Sequence, residues 1–250
     1  ADTTGVEPQF SLVQFKTLAG GGSLRIINRG VPTALKRLGY SDVETQEIVD
    51  HVMGTGSLER CESVSLQRLR EVGFSDTEFS KIEGAVDSVF DIRSLFAPSV
   101  LGEEFCTGTL MISGENCNKP FFDTLGHLGF SPADIADAHI HVFGHLSIED
   151  APHLKAEHLA VFDCATPGGK NGTRCIDWDA HVLMMASAQP FISGAISKTI
   201  NMPSDTTIED VRSAYDLSYS TMNKSCAVYR DGSKLSQPLN NSLVDMSDAE

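Results

Sequence analysis

No stretch of the sequence is both long enough and apolar enough to cross a bilayer. Runs such as Ala160–Phe162 are far short of the roughly 20 residues a spanning helix needs. Basic charge is also scarce: 19 Lys and Arg stand against 34 Asp and Glu, a net charge of −15. A general nucleic-acid binder needs a clustered excess of cations to meet phosphates, so that class is excluded. A local basic pocket for one small phosphate ligand stays open, and the acidity itself reads as solubility.

Paired cysteines are missing as well. Cys61, Cys106, Cys117, Cys164, Cys175 and Cys226 are scattered without a Cys-x-x-Cys pair, and 250 residues are enough to build a core without disulfide staples. No signal-peptide pattern opens the sequence, so a reducing cytosol is expected and the sequons at Asn171, Asn223 and Asn240 carry no meaning. The first residue is Ala1 rather than Met, so the chain is expected to be processed or excised from something longer. Gly20-Gly21-Gly22-Ser23 could cradle an anion, but no Gly-Lys-Ser/Thr follows and a flexible corner is the plainer reading.

What is present is organised as a repeat between about 31 and 145. Leu38-Gly39-Tyr40-Ser41, Val72-Gly73-Phe74-Ser75 and Leu128-Gly129-Phe130-Ser131 each put a glycine where a helix ends in a left-handed cap and a serine where the next begins. Ser41 with Glu44 and Ser75 with Glu78 fit the capping box, and Pro132 suits a first helical turn. Apolar spacing continues through Val43, Ile48 and Val52, through Phe79, Ile82 and Val86, and through Ile135, Ala138 and Val142. Three helical hairpins are expected, each too small to hold a core alone, with the structural task of covering or docking to something.

On either side of that repeat the pattern changes. Phe10–Leu18 is an apolar stretch between turns, and Leu24–Asn28 reads as a short strand or a helix lead-in. Residues 146–178 are loop-rich. A helix is expected from about Asp179 to Ala188, with Val182, Met185 and Ala186 on one side. A strand–helix–strand unit follows. Ala195–Met202 alternates as a strand, Thr207 caps a helix whose apolar face runs Ile208, Val211, Tyr215 and Met222, and Ser225–Arg230 returns as a parallel strand. From 234 to 250 the sequence is polar and expected to be disordered.

Several groups could carry chemistry. His141 and His145 have the i, i+4 spacing of a metal-binding pair, but no His-Glu-x-x-His pattern appears and Gly144 weakens a helix there, so packing histidines are the default. Cys164 and Cys175 flank a glycine-rich loop with a spacing that does not distinguish a redox pair, a metal half-site or plain structure. Asp163, Asp177 and Asp179 form no recognisable acid–base dyad. On the expected strand Ser197, Thr199 and Asn201 share one face and Ile196, Ile200 and Met202 the other. Hydroxyls and an amide together fit either a ligand site or a wet strand face. Tyr229 and Arg230 end the second strand, where ligands gather in α/β units.

Two terminal motifs bring in a family. Gln189-Pro-Phe-Ile-Ser-Gly-Ala-Ile-Ser-Lys-Thr-Ile-Asn-Met-Pro203 with Thr207-Ile-Glu-Asp-Val211, and Val228-Tyr-Arg-Asp-Gly-Ser-Lys-Leu-Ser-Gln-Pro-Leu-Asn240, closely resemble the last barrel segment of adenosylcobalamin-dependent (class II) ribonucleotide reductases and the stretch after it. Asp2-Thr-Thr-Gly-Val-Glu-Pro8 with Phe15-Lys-Thr-Leu-Ala-Gly-Gly-Gly22 resembles the segment downstream of that family's substrate-phosphate loop, and the helical repeat resembles an insertion of long bacterial members. The resemblance implies an α/β fold, here predominantly helical. It would be part of a ten-stranded α/β barrel, its terminal strand–helix–strand, with a helical-hairpin insertion. It also implies adenosylcobalamin as cofactor, and reduction of ribonucleotides through a cysteine thiyl radical.

The radical cysteine of that family lies in an Asn-Pro-Cys-x-Glu loop, which does not occur in this sequence; the Pro-Thr-Gly-Thr type phosphate loop is absent too and is expected to precede Ala1. The implied organisation is a barrel-derived segment at 1–30, the insertion at 31–145, a connector at 146–178, the terminal barrel elements at 179–233 and a tail at 234–250. No catalytic residue is assigned to the chain, which is therefore expected to be inactive alone. Position suggests Ser197, Lys198, Thr199, Asn201, Tyr229 and Arg230 as lining the substrate and cofactor cavity. The implied partners are the rest of the barrel, a ribonucleotide and, as an option, a second copy in a dimer. The competing reading is a non-catalytic helical-repeat module, since the Gly-Phe-Ser hairpins also resemble ubiquitin-associated domains. That reading leaves the terminal motifs unexplained.

Overall fold

The structure is a computed structural model that describes residues 5–17, 23–119, 122–169 and 171–233. The expectations placed on the triple glycine and on the 234–250 tail lie outside the described residues. Near the start, β1 (Val13–Thr17) and β2 (Ser23–Ile27) pair antiparallel, with Val13 opposite Ile27. The two apolar stretches read separately from sequence are thus one hairpin.

The three helical hairpins are present. They are α1 (Gly30–Arg37) with α2 (Asp42–Met53), α3 (Leu66–Glu71) with α4 (Asp76–Ala85), and α9 (Thr124–His127) with α10 (Pro132–Phe143). Four short helices, α5 (Ile92–Leu95), α6 (Pro98–Leu101), α7 (Glu103–Gly108) and α8 (Gly114–Cys117), lie between the second and third. Gly39, Gly73 and Gly129 take φ of 95°, 106° and 84° at the three corners, a region costly for any residue with a Cβ. At Ser41 the capping box closes: its hydroxyl accepts the Glu44 N–H, and its own N–H donates to the Glu44 carboxylate at 2.8 Å. Val43, counted among the apolar face, is exposed; Thr45 takes the buried position instead.

Beneath the three-fold motif lies a longer duplication of 90 residues. His51-Val52-Met53-Gly54 corresponds to His141-Val142-Phe143-Gly144, Ser57-Leu58-Glu59 to Ser147-Ile148-Glu149, and α2 and α10 coincide end to end under this shift. The copies meet where these helices end, through reciprocal hydrogen bonds. Thr55 N–H donates to His141 O (2.8 Å) and His145 N–H to His51 O (2.9 Å). Gly56 N–H donates to Val142 O and Leu146 N–H to Val52 O. The imidazoles repeat the exchange: Nε2 of His51 pairs with Glu149 O, and Nε2 of His141 with Glu59 O.

Packing is exchanged in the same way. Leu125, Phe130 and Val142 of the third hairpin bury Leu58, Val64 and Leu69 of the first copy, in a core that also takes in Ile82, Phe96 and Leu101. Leu35, Tyr40 and Val52 of the first hairpin pack with Ile148, Leu154 and Leu159 of the second copy. Even the edge contacts correspond: Tyr40 hydrogen-bonds His158, while its counterpart Phe130 is covered by the Arg68 guanidinium. Neither hairpin is covered by its own following segment, which is why each alone is too small to hold a core.

A third core belongs to the last part of the chain. There α11 (Trp178–Ala188), β3 (Thr199–Met202), α12 (Ile208–Ser220) and β4 (Ala227–Arg230) bring together Val182, Met185, Ile200, Met202 and Ala214. β3 and β4 pair parallel as a two-stranded sheet, Asn201 beside Tyr229 and Met202 beside Arg230. The strand expected from Ala195 begins only at Thr199. Residues before it face no strand, because β4 starts at Ala227 and Ser225 meets the Ile196 carbonyl through its side chain instead. Of the face expected to bury α12, Val211 packs against the core, but Ile208, Tyr215 and Met222 are exposed, and Ala214 and Ser218 take the most buried positions. Small residues let its backbone approach the sheet closely, which larger side chains prevent.

Candidate functional site

The candidate residues fall on two faces of the β3–β4 pair. Side chains alternate along a strand, so Ile200 and Met202 point to α11 and α12 while Thr199 and Asn201 point away from both helices. Tyr229 lies beside Asn201 on that second face, and Ala227 beside Thr199. Asn201 is buried, Thr199 and Tyr229 half-buried. Burial and Asp231 push the Tyr229 phenol up, so it stays protonated as a donor.

Ser197 lies ahead of the strand and is exposed. Arg230 is also exposed, on the helix-side register, where its guanidinium is held by the carbonyls of Ser204 and Thr206 at the end of β3. Lys198 lies on the helix side too and is 3% exposed. Its Nζ sits 2.5 Å from Nδ1 of His181, donates to Thr199 O at 2.8 Å, and lies 3.6 Å from the Glu7 carboxylate. Glu7 also accepts the Thr199 N–H at 2.7 Å, so one carboxylate fastens residues near the amino end to the start of β3. His181 is 1% exposed, and burial with Lys198 alongside lowers its pKa to about 4. Burial lowers Lys198 as well, against the pull of Glu7. An imidazole accepting from lysine is neutral, with its remaining proton on Nε2.

Sequence reasoning missed Glu7 and His181. His181 precedes Val182 in an apolar helix and reads as a surface position, and nothing in the sequence links Glu7 to a strand 192 residues away. Gln189, also missed, straps the approach to β3 by donating to the Ile192 and Gly194 carbonyls.

Elsewhere the structure separates groups that spacing suggested might converge. α10 ends at Phe143, so His145 lies beyond its cap and stacks on His51 at 4.1 Å while His141 turns to Glu59 O. All six cysteines are free. Cys164 is buried, and burial, with Asp163 nearby, pushes its thiol up to about 12; burial raises Cys175 as well. Neither is a ready thiolate. Asp163 instead holds Arg174 in a two-point pair at 2.9 and 2.7 Å. Among the described residues no group of three or more His, Cys, Asp or Glu is placed to hold a metal ion, and no helix is long and apolar enough to cross a membrane.

The sequence profile of the ribonucleotide reductase barrel domain matches residues 109–229, a span that ends on Tyr229 of β4 and contains both faces just described. Over its whole length the chain is 51% identical to a vitamin B12-dependent ribonucleotide reductase of Agrobacterium fabrum. The chain belongs to the ribonucleotide reductase family. A second vitamin B12-dependent reductase, from Bradyrhizobium diazoefficiens, is 51% identical over 97% of the chain. A vitamin B12-dependent ribonucleoside-diphosphate reductase of Thermoplasma acidophilum is 47% identical over 64 residues, 26% of the chain. The chain spans only 20% and 19% of the length of the first two relatives, so it corresponds to one portion of such reductases.

Proposed function

We propose that this chain supplies the closing strand β3 and the following strand β4 of a ten-stranded α/β barrel in an adenosylcobalamin-dependent ribonucleotide reductase. The carrying observation is the parallel β3–β4 pair with α11 and α12 on one face and Thr199, Asn201 and Tyr229 on the other. In an α/β barrel the helices lie outside and the opposite strand face looks inward. Asn201 and the protonated Tyr229 would then offer hydrogen bonds to a ribonucleotide, with Thr199 beside them. Lys198, Glu7 and His181 would act from behind, fixing β3 against the segment that starts the chain. The sheet has two strands, and more would complete it on either edge.

Adenosylcobalamin, when bound, supplies the radical that generates the cysteine thiyl species. Of the two clefts described, that of about 230 Å³ lies among the helices and that of about 20 Å³ under the glycine-rich loop, and neither is bounded by β3 or β4. Both are below the usual range for a small-ligand site, about 300–1,000 Å³. This segment does not fit the cofactor by itself, and its cavity has to be completed by the remaining barrel. Likewise, the thiyl-bearing loop is assigned to polypeptide outside these residues, since no Asn-Pro-Cys-x-Glu occurs here.

The test is complementation. The chain alone, with adenosylcobalamin, a dithiol reductant and ribonucleotide, should give no deoxyribonucleotide, and adding the remaining portion of the reductase should restore turnover. Turnover by the chain alone, or failure of the two portions to associate and react, overturns the reading. In the complete reductase, Asn201→Ala and Tyr229→Phe should raise KM or lower kcat while leaving the assembly intact.

A further inference from the structure

The two copies of the 90-residue duplication differ in what meets the Ser-x-Glu turn of each. The Glu149 carboxylate of the second copy takes three donors: the Thr173 N–H (2.8 Å), the Thr173 hydroxyl (2.7 Å) and the Arg174 N–H (3.0 Å). These come from the glycine-rich loop, whose Gly168 and Gly169 lie so close to the backbone of His145–Ser147 that a Cβ on either would collide with it. The cleft left there, bounded by Ser147, Ile148, Glu149 and Arg174, is only about 20 Å³.

The counterpart in the first copy is open. Ser57, Leu58 and Glu59 occupy the positions of Ser147, Ile148 and Glu149, and the turn is built alike: Ser57 accepts the Glu59 N–H as Ser147 accepts that of Glu149, and Arg60 and Asp150 both have φ of 61°. Beside it lies a cleft of about 230 Å³ whose floor is Leu66, Phe79, Ile82 and Val86. Its rim carries Glu59 and Glu83, both exposed and with no side-chain hydrogen bond or ion pair among the described residues. Arg70 does not answer them, being bonded to Asp76 at 2.6 Å and laid over the Phe79 ring.

We infer that the Glu59 cleft is a docking site for a polypeptide loop carrying consecutive backbone N–H groups and an arginine. It would bring to Glu59 the chemistry that Thr173 and Arg174 bring to Glu149. The apolar floor takes the aliphatic stem of the arginine, and Glu59 and Glu83 take its cation and the adjacent N–H groups, as carboxylates do best with charged donors. The volume is too small for a helix and suits one long side chain. This inference does not depend on the barrel reading.

The probe is a capped peptide copying this chain's own loop, Gly-Gly-Lys-Asn-Gly-Thr-Arg, titrated into the isotopically labelled full chain. Saturable binding is expected, with NMR shifts confined to Ser57–Glu59 and to α4. Glu59→Gln, or replacing the peptide's arginine by alanine, should weaken it about ten-fold or more, the loss of one charge-assisted contact. Glu83→Gln is a second, independent variant with the same expectation. No saturable binding, unchanged affinity in both variants, equal binding of a scrambled peptide of the same charge, or shifts centred on Glu149 would each overturn the proposal.

Discussion

Gly54 and Gly144 face each other where the two copies cross, with φ of 73° at both. A Cβ on Gly54 would collide with the Val142 carbonyl and the Gly144 N, and one on Gly144 with the Val52 carbonyl and the Gly54 N. Alanine at either position therefore meets two costs. Both glycines have ψ near 180° (170° and 179°), a backbone region essentially confined to glycine, and its strain contributes about 1–3 kcal/mol. Pushing the helix ends apart also weakens four reciprocal backbone hydrogen bonds, each worth about 0.5–1.5 kcal/mol. A loss of about 3 kcal/mol or more is expected, a fall in Tm of about 6–12 °C at about 2–4 °C per kcal/mol. Gly39→Ala is the control: φ is 95° and nothing lies within 4 Å, so it should show the cost of positive φ without a collision. Because both substitutions open one contact, the double variant should cost little more than the worse single one. Thermal and urea unfolding of the three variants and their parent measure this. Losses no greater than that of Gly39→Ala, or a double variant equal to the sum, refute the reciprocal crossing.

Protonating His181 is the next expectation. Its folded pKa of about 4 lies below an unfolded value near 6.5, so its contribution is complete above about pH 6.5 and is lost as pH falls toward 4. Urea midpoints should drop over that window, and a His181→Gln variant should lack that component of the drop; an equal drop in the variant counts against it. Cys164, buried with its thiol pushed up to about 12, should resist iodoacetamide at pH 8 in the native chain and react on denaturation, as read by mass spectrometry. Rapid native labelling of Cys164 would show the loop to be open. Glu149→Gln should free the 168–174 loop at a cost of about 1–3 kcal/mol, since a charged acceptor of three donors is lost; unchanged hydrogen exchange at Thr173 and Arg174 would contradict this. The isolated chain should self-associate through the β3–β4 margins; a monodisperse monomer with one sharp transition tells against that.

What was legible in the sequence was local. Capping boxes and glycine corners depend on residues three or four apart, so Ser41 with Glu44 and Gly39 with Tyr40 could be read directly. The parallel return of β4 to β3 was legible because the alternation and Pro203 bound a strand–helix–strand unit. The buried face of α12 was legible at Val211 but misread beyond it, because hydrophobicity alone favours Tyr215 and Met222 while the sheet selects small Ala214 and Ser218. The Glu7–Lys198–His181 cluster was invisible because it is assembled from residues up to 192 positions apart. The three-fold motif was seen, but not the 90-residue period beneath it. The glycine corners recur at 34 and then 56 residues, so the middle hairpin hides the 90-residue step from Gly39 to Gly129 that Gly54 and Gly144 repeat.

The exchange between copies explains how so long a helical segment can sit between Glu7 and β3, which are tied to each other. Each hairpin covers the other copy's following segment, and Leu12 and Val13 of β1 complete the second of the two cores so formed. The last unit differs. Its core is complete on the helix side, yet among the described residues it has two strands, and Ile208, Tyr215 and Tyr219 stand exposed along α12. Glu7 joins the amino end to that unit across everything between, through Thr199 and Lys198. The stability of the helical body should then be separable from the completion of the sheet, with hydrogen exchange at β3 and β4 slowing on assembly while that at α2 and α10 does not.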